Sequence, residues 1–319
     1  MTKLNCPPKE TNDAGNLRRI GVEIEFGGLN VDKAAELVQA VFGGEVVVKG
    51  AHLRAVMNTE IGDFGVELDA QSVHPTDDAS DVERDVRRIM GDVSSAFVLT
   101  EIVGPPAGHH SLTDFDELTD KLREARAKGT SDGLSYAFGM QLNSEVPSLA
   151  AEDILRIMQA YVLLSPLLRR RIGVDLLRQA LPYVDPYPMA YRQKILVSDY
   201  APNIDALIDD YIESNPTRNR DLDMLPLFVF LDEDRVRAKL DDPLIKSRRT
   251  YHYRLPNTDF HKPNWGVVLE WNRWVMIERL ANNQNRLRRL ADDYLEQSSI
   301  DFIDRASRKM QEWFDEIFD

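Results

Sequence analysis

Two glutamates, Glu23 and Glu25, stand one residue apart in "RRIGVEIEFGG", residues 18–28. The alternation of Ile20, Val22, Ile24 and Phe26 reads as a strand with one apolar face, so both carboxylates leave from the other. Ionised carboxylates on a shared face repel each other and resist burial. A divalent cation reverses that cost. The same plan recurs along the chain. In "FGVELDA", Glu67 and Asp69 oppose Val66 and Leu68. "VLTEIVGPP" delivers Glu101 just before Gly104 and two prolines. In "SYAFGMQLN", Tyr136, Phe138, Met140 and Leu142 form the apolar face, while Ala137, Gly139, Gln141 and Asn143 form the other. Carboxylate and amide oxygens, rather than Cys and His, point to Mg²⁺ or Mn²⁺. Taken one strand at a time, alternating polar residues describe a solvated face, and for Asp69 that is the simpler account. The recurrence of Glu at 23, 25, 67 and 101 favours a metal site.

A cationic counterpart lies in "IKSRRTYHYRLPN", residues 245–257, which carries Lys246, Arg248, Arg249 and Arg254 interleaved with Tyr251 and Tyr253. As a strand it sends His252 and Arg254 to one side and the tyrosines to the other. Arginine at such a place can stabilise charge developing on a transferring phosphoryl group. A basic surface patch accounts equally well for Arg248 and Arg249 taken singly. His252 is a weaker metal-ligand candidate, because most lone histidines are structural or surface groups. His109 and His110 follow the proline pair in a loop and lack the spacing of a zinc pair.

The elements that must position these groups are strands with helices interposed, up to about residue 147. Asn30 is an N-cap candidate for a helix ended by Gly43–Gly44. "HLRAVM" and "FGVELDA" read as a hairpin, and Asp78–Met90 and Asp114–Lys128 as amphipathic helices. Residues 148–240 turn helical, and the chain from Trp265 onward reads as two long helices with a joint near Ser298–Ser299. The stripe Trp265, Val268, Trp271, Val275, Ile277, Leu280 belongs in a core. The expected fold class is therefore α+β: a curved sheet with helices on its outer side. Residues 1–16 form a flexible lead-in, residues 17–297 one domain with a helical insertion at about 150–240, and residues 298–319 a C-terminal helix.

Composition bounds the rest. The 319 residues carry 39 basic and 53 acidic side chains, for a net charge of −14, which argues against broad nucleic-acid binding. One cysteine, Cys6, excludes an intrachain disulfide. No signal peptide or apolar span of membrane length is evident. The expectation is a cytoplasmic protein with neither nucleic acid nor membrane as partner.

"GVEIEFGG", "EIVGPP", "FGMQLN" and "YRLPN" followed by "NWGVVLEWNRWVMIERLA", in that order, resemble the amidoligases of the carboxylate–amine ligase superfamily, which includes glutamine synthetase and glutamate–cysteine ligase. The resemblance covers about residues 18–290. It implies a glutamine-synthetase-like, mainly antiparallel curved sheet with helices on its convex side, and ATP with two or three Mg²⁺. Glu23 and Glu25 match the metal-binding pair of the first strand, and Glu67 and Glu101 the later acidic positions. Gln141 and Asn143 occupy the places of two histidines, one at a metal and one near the nucleotide. Arg254 matches the arginine that meets the phosphoryl group, and His252 stands where that strand has Glu.

The reaction so implied joins a small-molecule or peptide carboxylate to an amine through an acyl phosphate. Lys246, Arg248, Arg249 and Asn143 would face the nucleotide, Arg254 the transferring oxygens, and Asp69 would take the proton from the amine. A glutamine amidotransferase is a partner of some such ligases. Two other readings stay open: a phosphotransferase on the same fold, and a non-catalytic nucleotide- or metal-binding relative.

Overall fold

A computed structural model of the chain describes residues 2–68, 99–130, 139–173 and 184–296. Asp69, the helix expected at 78–90, residues Tyr136 to Phe138 and everything from 297 onward lie outside the described residues. The chain divides into two compact units: Arg19–Leu142 with Pro256–Leu269, termed here the sheet unit, and Met1–Arg18, Asn143–Leu255 and Glu270–Asp319, the helical unit.

The sheet unit begins with β1 (Arg19–Phe26), and the alternation of its sequence is obeyed: Ile20, Val22, Ile24 and Phe26 are almost fully buried. The next helix, α1 (Val31–Phe42), is capped by Asn30, whose side chain accepts from the Lys33 N–H, and it ends at Gly43 with positive φ. β2 (Glu45–Gly50), β3 (Leu53–Thr59) and β4 (Gly62–Leu68) form a meander whose second turn is only Glu60–Ile61, tighter than the expected loop. β5 (Thr100–Val103) stops at Gly104, and β6 (Ala107–Gly108) pairs with β1 before α2 (Leu112–Glu124). β7 (Met140–Glu145) starts in this unit and continues into the other. The strand order here is β2-β3-β4-β5-β1-β7, and each of the registers β2–β3, β3–β4, β4–β5 and β1–β5 is antiparallel.

One face of this sheet is covered. Phe42 of α1, Phe64 of β4 and Phe115 of α2 meet with ring centroids 4.7–5.8 Å apart. Ile24, Val66 and Ile102 lie on the same side with no exposed surface. Each such side chain contributes about 1.5–3 kcal/mol on burial. At Gly104 a Cβ would stand 2.7 Å from the Phe115 ring, so the close approach of α2 depends on that glycine. The returning segment Pro256–Leu269 is held by Thr258 O accepting from Thr130 N and by the Arg123 guanidinium donating to the carbonyls of Phe260 and Trp265. At its end α8 (Val267–Asn282) begins against α2: Asp116 Oδ1 accepts from Val268 N at 2.9 Å, a favourable place for a carboxylate. Gly266 makes room for it, because a Cβ there would lie 2.5 Å from the same oxygen.

The helical unit contains α3 (Ala151–Ile172), α4 (Met189–Leu196), α5 (Ile204–Ser214), α6 (Leu225–Leu231), α7 (Glu233–Arg237), most of α8 and α9 (Gln284–Glu296). The described part of the expected helical stretch at 148–240 is mainly helix. The terminal helices are also present, but the break among the described residues falls at Asn283, whose side chain caps α9 by accepting from Arg286 N. The tryptophan-bearing stripe is buried as expected. α9 is amphipathic: it buries Leu287, Leu290, Ala291 and Tyr294 and pairs Arg288 with Asp292 on its outer side. Lys3 O and Asn5, from the N-terminal segment, hydrogen-bond with Asn272 and Trp271 of α8. A buried ion pair ties that segment down further. The Arg18 guanidinium donates to both oxygens of Glu278 (2.5 and 2.9 Å), to Ser144 Oγ and to the carbonyls of Lys9 and Glu145, while Trp274 Nε1 donates to Glu278. Two short strands, β8 (Leu222–Asp223) and β9 (Thr250–Tyr253), pair antiparallel in this unit.

Candidate functional site

Register decides where the acidic side chains go. On adjacent strands Glu67 is paired with Glu101, and Glu101 with Glu25. Directly paired residues point to the same side of a sheet, so three carboxylates form one row on the face away from α1 and α2. The neighbouring row runs Gly65, Val103, Glu23. β7 adds Gln141 beside Glu25. Gly139 N donates to Glu25 Oε2 at 2.9 Å, and Gln141 Nε2 approaches Oε1 at 3.4 Å. The Glu25 carboxylate is therefore oriented by two donors, one in β7 and one just before it. Alternation places Gly139 on this face, but its part as a backbone donor is invisible in the sequence, where a glycine shows only that a side chain is missing.

Exposure rises from Glu23 in the neighbouring row, 8% exposed, through the half-buried Glu25 and Glu101 to the exposed Glu67. Like charges placed directly opposite cost up to about 1 kcal/mol per pair. The burial of Ile24, Val66, Ile102 and Phe64 beneath them outweighs that several times over. The sheet can therefore form with the row in place and no ion bound.

The residues suit a hard cation. The donors are carboxylate and amide oxygens, and Gln141 Oε1 is buried with no hydrogen-bond partner among the described residues. As placed, no three His, Cys, Asp or Glu side chains among the described residues stand close enough together to hold a metal ion. That is an open row rather than a closed cage. Mg²⁺ is commonly held by only one or two carboxylates, with waters and substrate phosphates completing its shell.

The cationic residues lie in the helical unit, and they differ in what they touch. Lys246 is exposed. Arg249 is engaged by Asp13 and lies 3.9 Å from Glu145. Asn143 is buried. Arg254 donates to Arg218 O, while its own N–H donates to Asp221 O. Arg248 Nη1 lies 3.1 Å from His252 Nε2. His252 is 6% exposed, and burial, aided by Arg254, Arg248 and Arg218, holds its pKa well below the usual imidazole value. The imidazole is neutral. Asp223 faces it in the strand pair, accepts from Leu225 N, and has its pKa pushed up to about 6 by burial against the pull of Arg254 and Arg218. Asp221, bonded to Arg169 at 2.8 Å, is likewise pushed up to about 6 by burial.

Sequence reasoning missed Arg218 and Asp223. Both sit in "TRNRDLDML", a charged run that reads as solvated until a strand pairing buries it. His109 and His110 form a short 3₁₀ turn in the sheet unit, with His110 exposed. Among the described residues no helix is long and apolar enough to cross a membrane.

A mixed helix-and-strand chain with a mainly antiparallel sheet, bearing a row of oxygen donors on one face, is the class that fold and site define. Residues 16–276 match the family model described as "Putative amidoligase enzyme", and the chain belongs to that family. The family description points to a ligase that forms amide bonds. No curated protein matches the chain, and neither does any solved structure.

Proposed function

We propose that the protein is an ATP-dependent ligase that joins a carboxylate to an amine through an acyl phosphate. The observation that carries this reading is the in-register row Glu67–Glu101–Glu25, completed by Gln141, in a chain of the amidoligase family. Glu23, Glu25, Glu67, Glu101 and Gln141 would hold Mg²⁺ or Mn²⁺, which supplies charge neutralisation for nucleotide phosphates. Gly139 N–H and the Gln141 amide keep the Glu25 carboxylate aimed. In the helical unit, Arg254 would meet the oxygens of a phosphoryl group, where a fixed guanidinium is most effective.

In chemical terms, a substrate carboxylate oxygen attacks the γ-phosphorus and ADP leaves. The amine nitrogen then attacks the acyl carbon, phosphate leaves, and a base takes one proton from nitrogen. Asp69 is proposed as that base. The substrates are of the small-molecule or peptide carboxylate and amine classes, and a glutamine amidotransferase that delivers ammonia would fit the same chemistry. Acid-quenched reactions should show ADP formation that requires both a carboxylate and an amine. Wild-type turnover by a Glu25→Ala variant would overturn the proposal.

A further inference from the structure

The oxygen donors of the sheet unit have a further member, on the segment that returns to it. Gly139, whose N–H meets Glu25 Oε2, forms an antiparallel bridge with Asn257. The Gly139 carbonyl accepts from Glu25 N, so β1 lies on one side of Gly139 and Asn257 on the other. Met140 N donates to Pro256 O, which makes Gly139 and Asn257 a non-hydrogen-bonded pair. Such pairs bring their Cα atoms to about 4.5 Å. Directly paired residues share a face, and Gly139 alternates with the fully buried Met140. Asn257 therefore leaves the sheet on the face that carries Glu25 and Gln141. Glu25 leans over Gly139 from one flank and Asn257 stands at the other, with no side chain between them.

Asn257 is 5% exposed, and its Oδ1 is buried with no hydrogen-bond partner among the described residues. Gln141 Oε1, two residues along from Gly139, is in the same condition. A carbonyl oxygen left dry and unmet costs about 1–3 kcal/mol. Two of them next to one carboxylate ask for a cation. Amide oxygens coordinate a hard cation without neutralising it. An ion held by one carboxylate and two amides keeps positive charge for the phosphate oxygens of a nucleotide, whereas an ion held by carboxylates alone loses it. Glu25 and Gln141 are half-buried, so solvent reaches the place from their side.

We propose that Asn257 is a cation ligand: its Oδ1, with Gln141 Oε1 and the Glu25 carboxylate, takes one Mg²⁺ or Mn²⁺ above Gly139. The inference rests on the ligase reading for the presence of a metal at Glu25. It adds the residue that closes the site on the far side of β7, and it is measured without nucleotide or turnover.

The test uses the full chain with Mn²⁺ alone. Titration followed by electron paramagnetic resonance gives the affinity, and NMR of nitrogen-labelled asparagine and glutamine reports which amides lie near the ion. Substoichiometric Mn²⁺ should broaden the side-chain signals of Asn257 and Gln141 ahead of those of other amides. Asn257→Leu should weaken Mn²⁺ about tenfold or more, at least the effect of losing a supporting partner of a metal ligand. Asn257→Asp should tighten it about tenfold, because ligand charge raises the affinity for a hard cation. Wild-type affinity in Asn257→Leu, or Asn257 signals that stay sharp while those of Gln141 vanish, would overturn the proposal. So would an Asn257 amide that responds to methylammonium and not to Mn²⁺, which would give these oxygens to an amine. Should Asn257→Leu fail to fold, Asn257→Asp and the wild-type spectra still decide. Mn²⁺ binding at Asn257 without any ADP formation would count against the ligase reading and leave this one intact.

Discussion

In the helical unit acids are buried against bases, and in the sheet unit acids are set against acids. Glu278 lies between the Arg18 guanidinium and the Trp274 N–H, and Asp221 against Arg169. Glu67, Glu101 and Glu25, by contrast, face one another across strand pairs. Matched, buried charges of the first kind hold a fold together once formed, because removing one partner strands the other. Like charges set directly opposite one another repel, and such a row is suited to binding a cation. The difference separates charges that serve the structure from charges that serve its chemistry.

The comparison can be broken from its strongest side first. Glu278→Ala leaves the buried Arg18 without its carboxylate and should cost about 3–5 kcal/mol, read by denaturant unfolding. A loss under 1 kcal/mol would mean that the pair is not structural. Glu25→Gln should do the reverse: ADP formation falls about 10²–10³-fold, as for loss of one aimed electrostatic group, with unfolding free energy unchanged or slightly raised. Clear destabilisation by this change would place the row among the structural charges.

A third test concerns pH. The folded-state pKa values of Asp221 and Asp223, about 6, lie above the ordinary 3.8. The folded protein therefore keeps these protons longer than the unfolded chain does. The stability they contribute is complete below about pH 4 and is lost as pH rises to 6, by up to about 3 kcal/mol for each group. Unfolding midpoints at pH 4, 5, 6 and 7 should show a shallower decline in Asp223→Asn than in wild type, and identical slopes would contradict the assignment. The smallest effect belongs to Glu67→Gln. At the exposed end of the row it should change stability by less than about 0.5 kcal/mol and ADP formation by about tenfold or less.

What could be read in advance was whatever repeats locally. Alternation in β1 and β4 told which side chains share a face, and Asn30 and Gly43–Gly44 marked both ends of α1. The matching of Glu25 to Glu101 and Glu67 follows from strand pairing, which no single strand reveals, yet the shared pattern of the strands was enough to group them. Arg18 and Glu278 are far apart in sequence, and nothing local marks either as buried. Asp223 and Arg218 look like any solvated charges, because their role depends on β8 pairing with β9. His252 was singled out for its type and place in the strand. Only its neighbours show that its lone pair is already used. The break at Asn283 was hidden by the apolar periodicity that continues on both sides of it.

Position 266 sets a narrow limit on the sheet unit. The smallest side chain beyond hydrogen would push into the Asp116 carboxylate, and α8 would lose the acceptor that meets its opening turn. One methyl group, on a residue with no chemistry of its own, is thereby enough to turn that carboxylate aside and to weaken the start of a helix by about 1 kcal/mol, the worth of one cap.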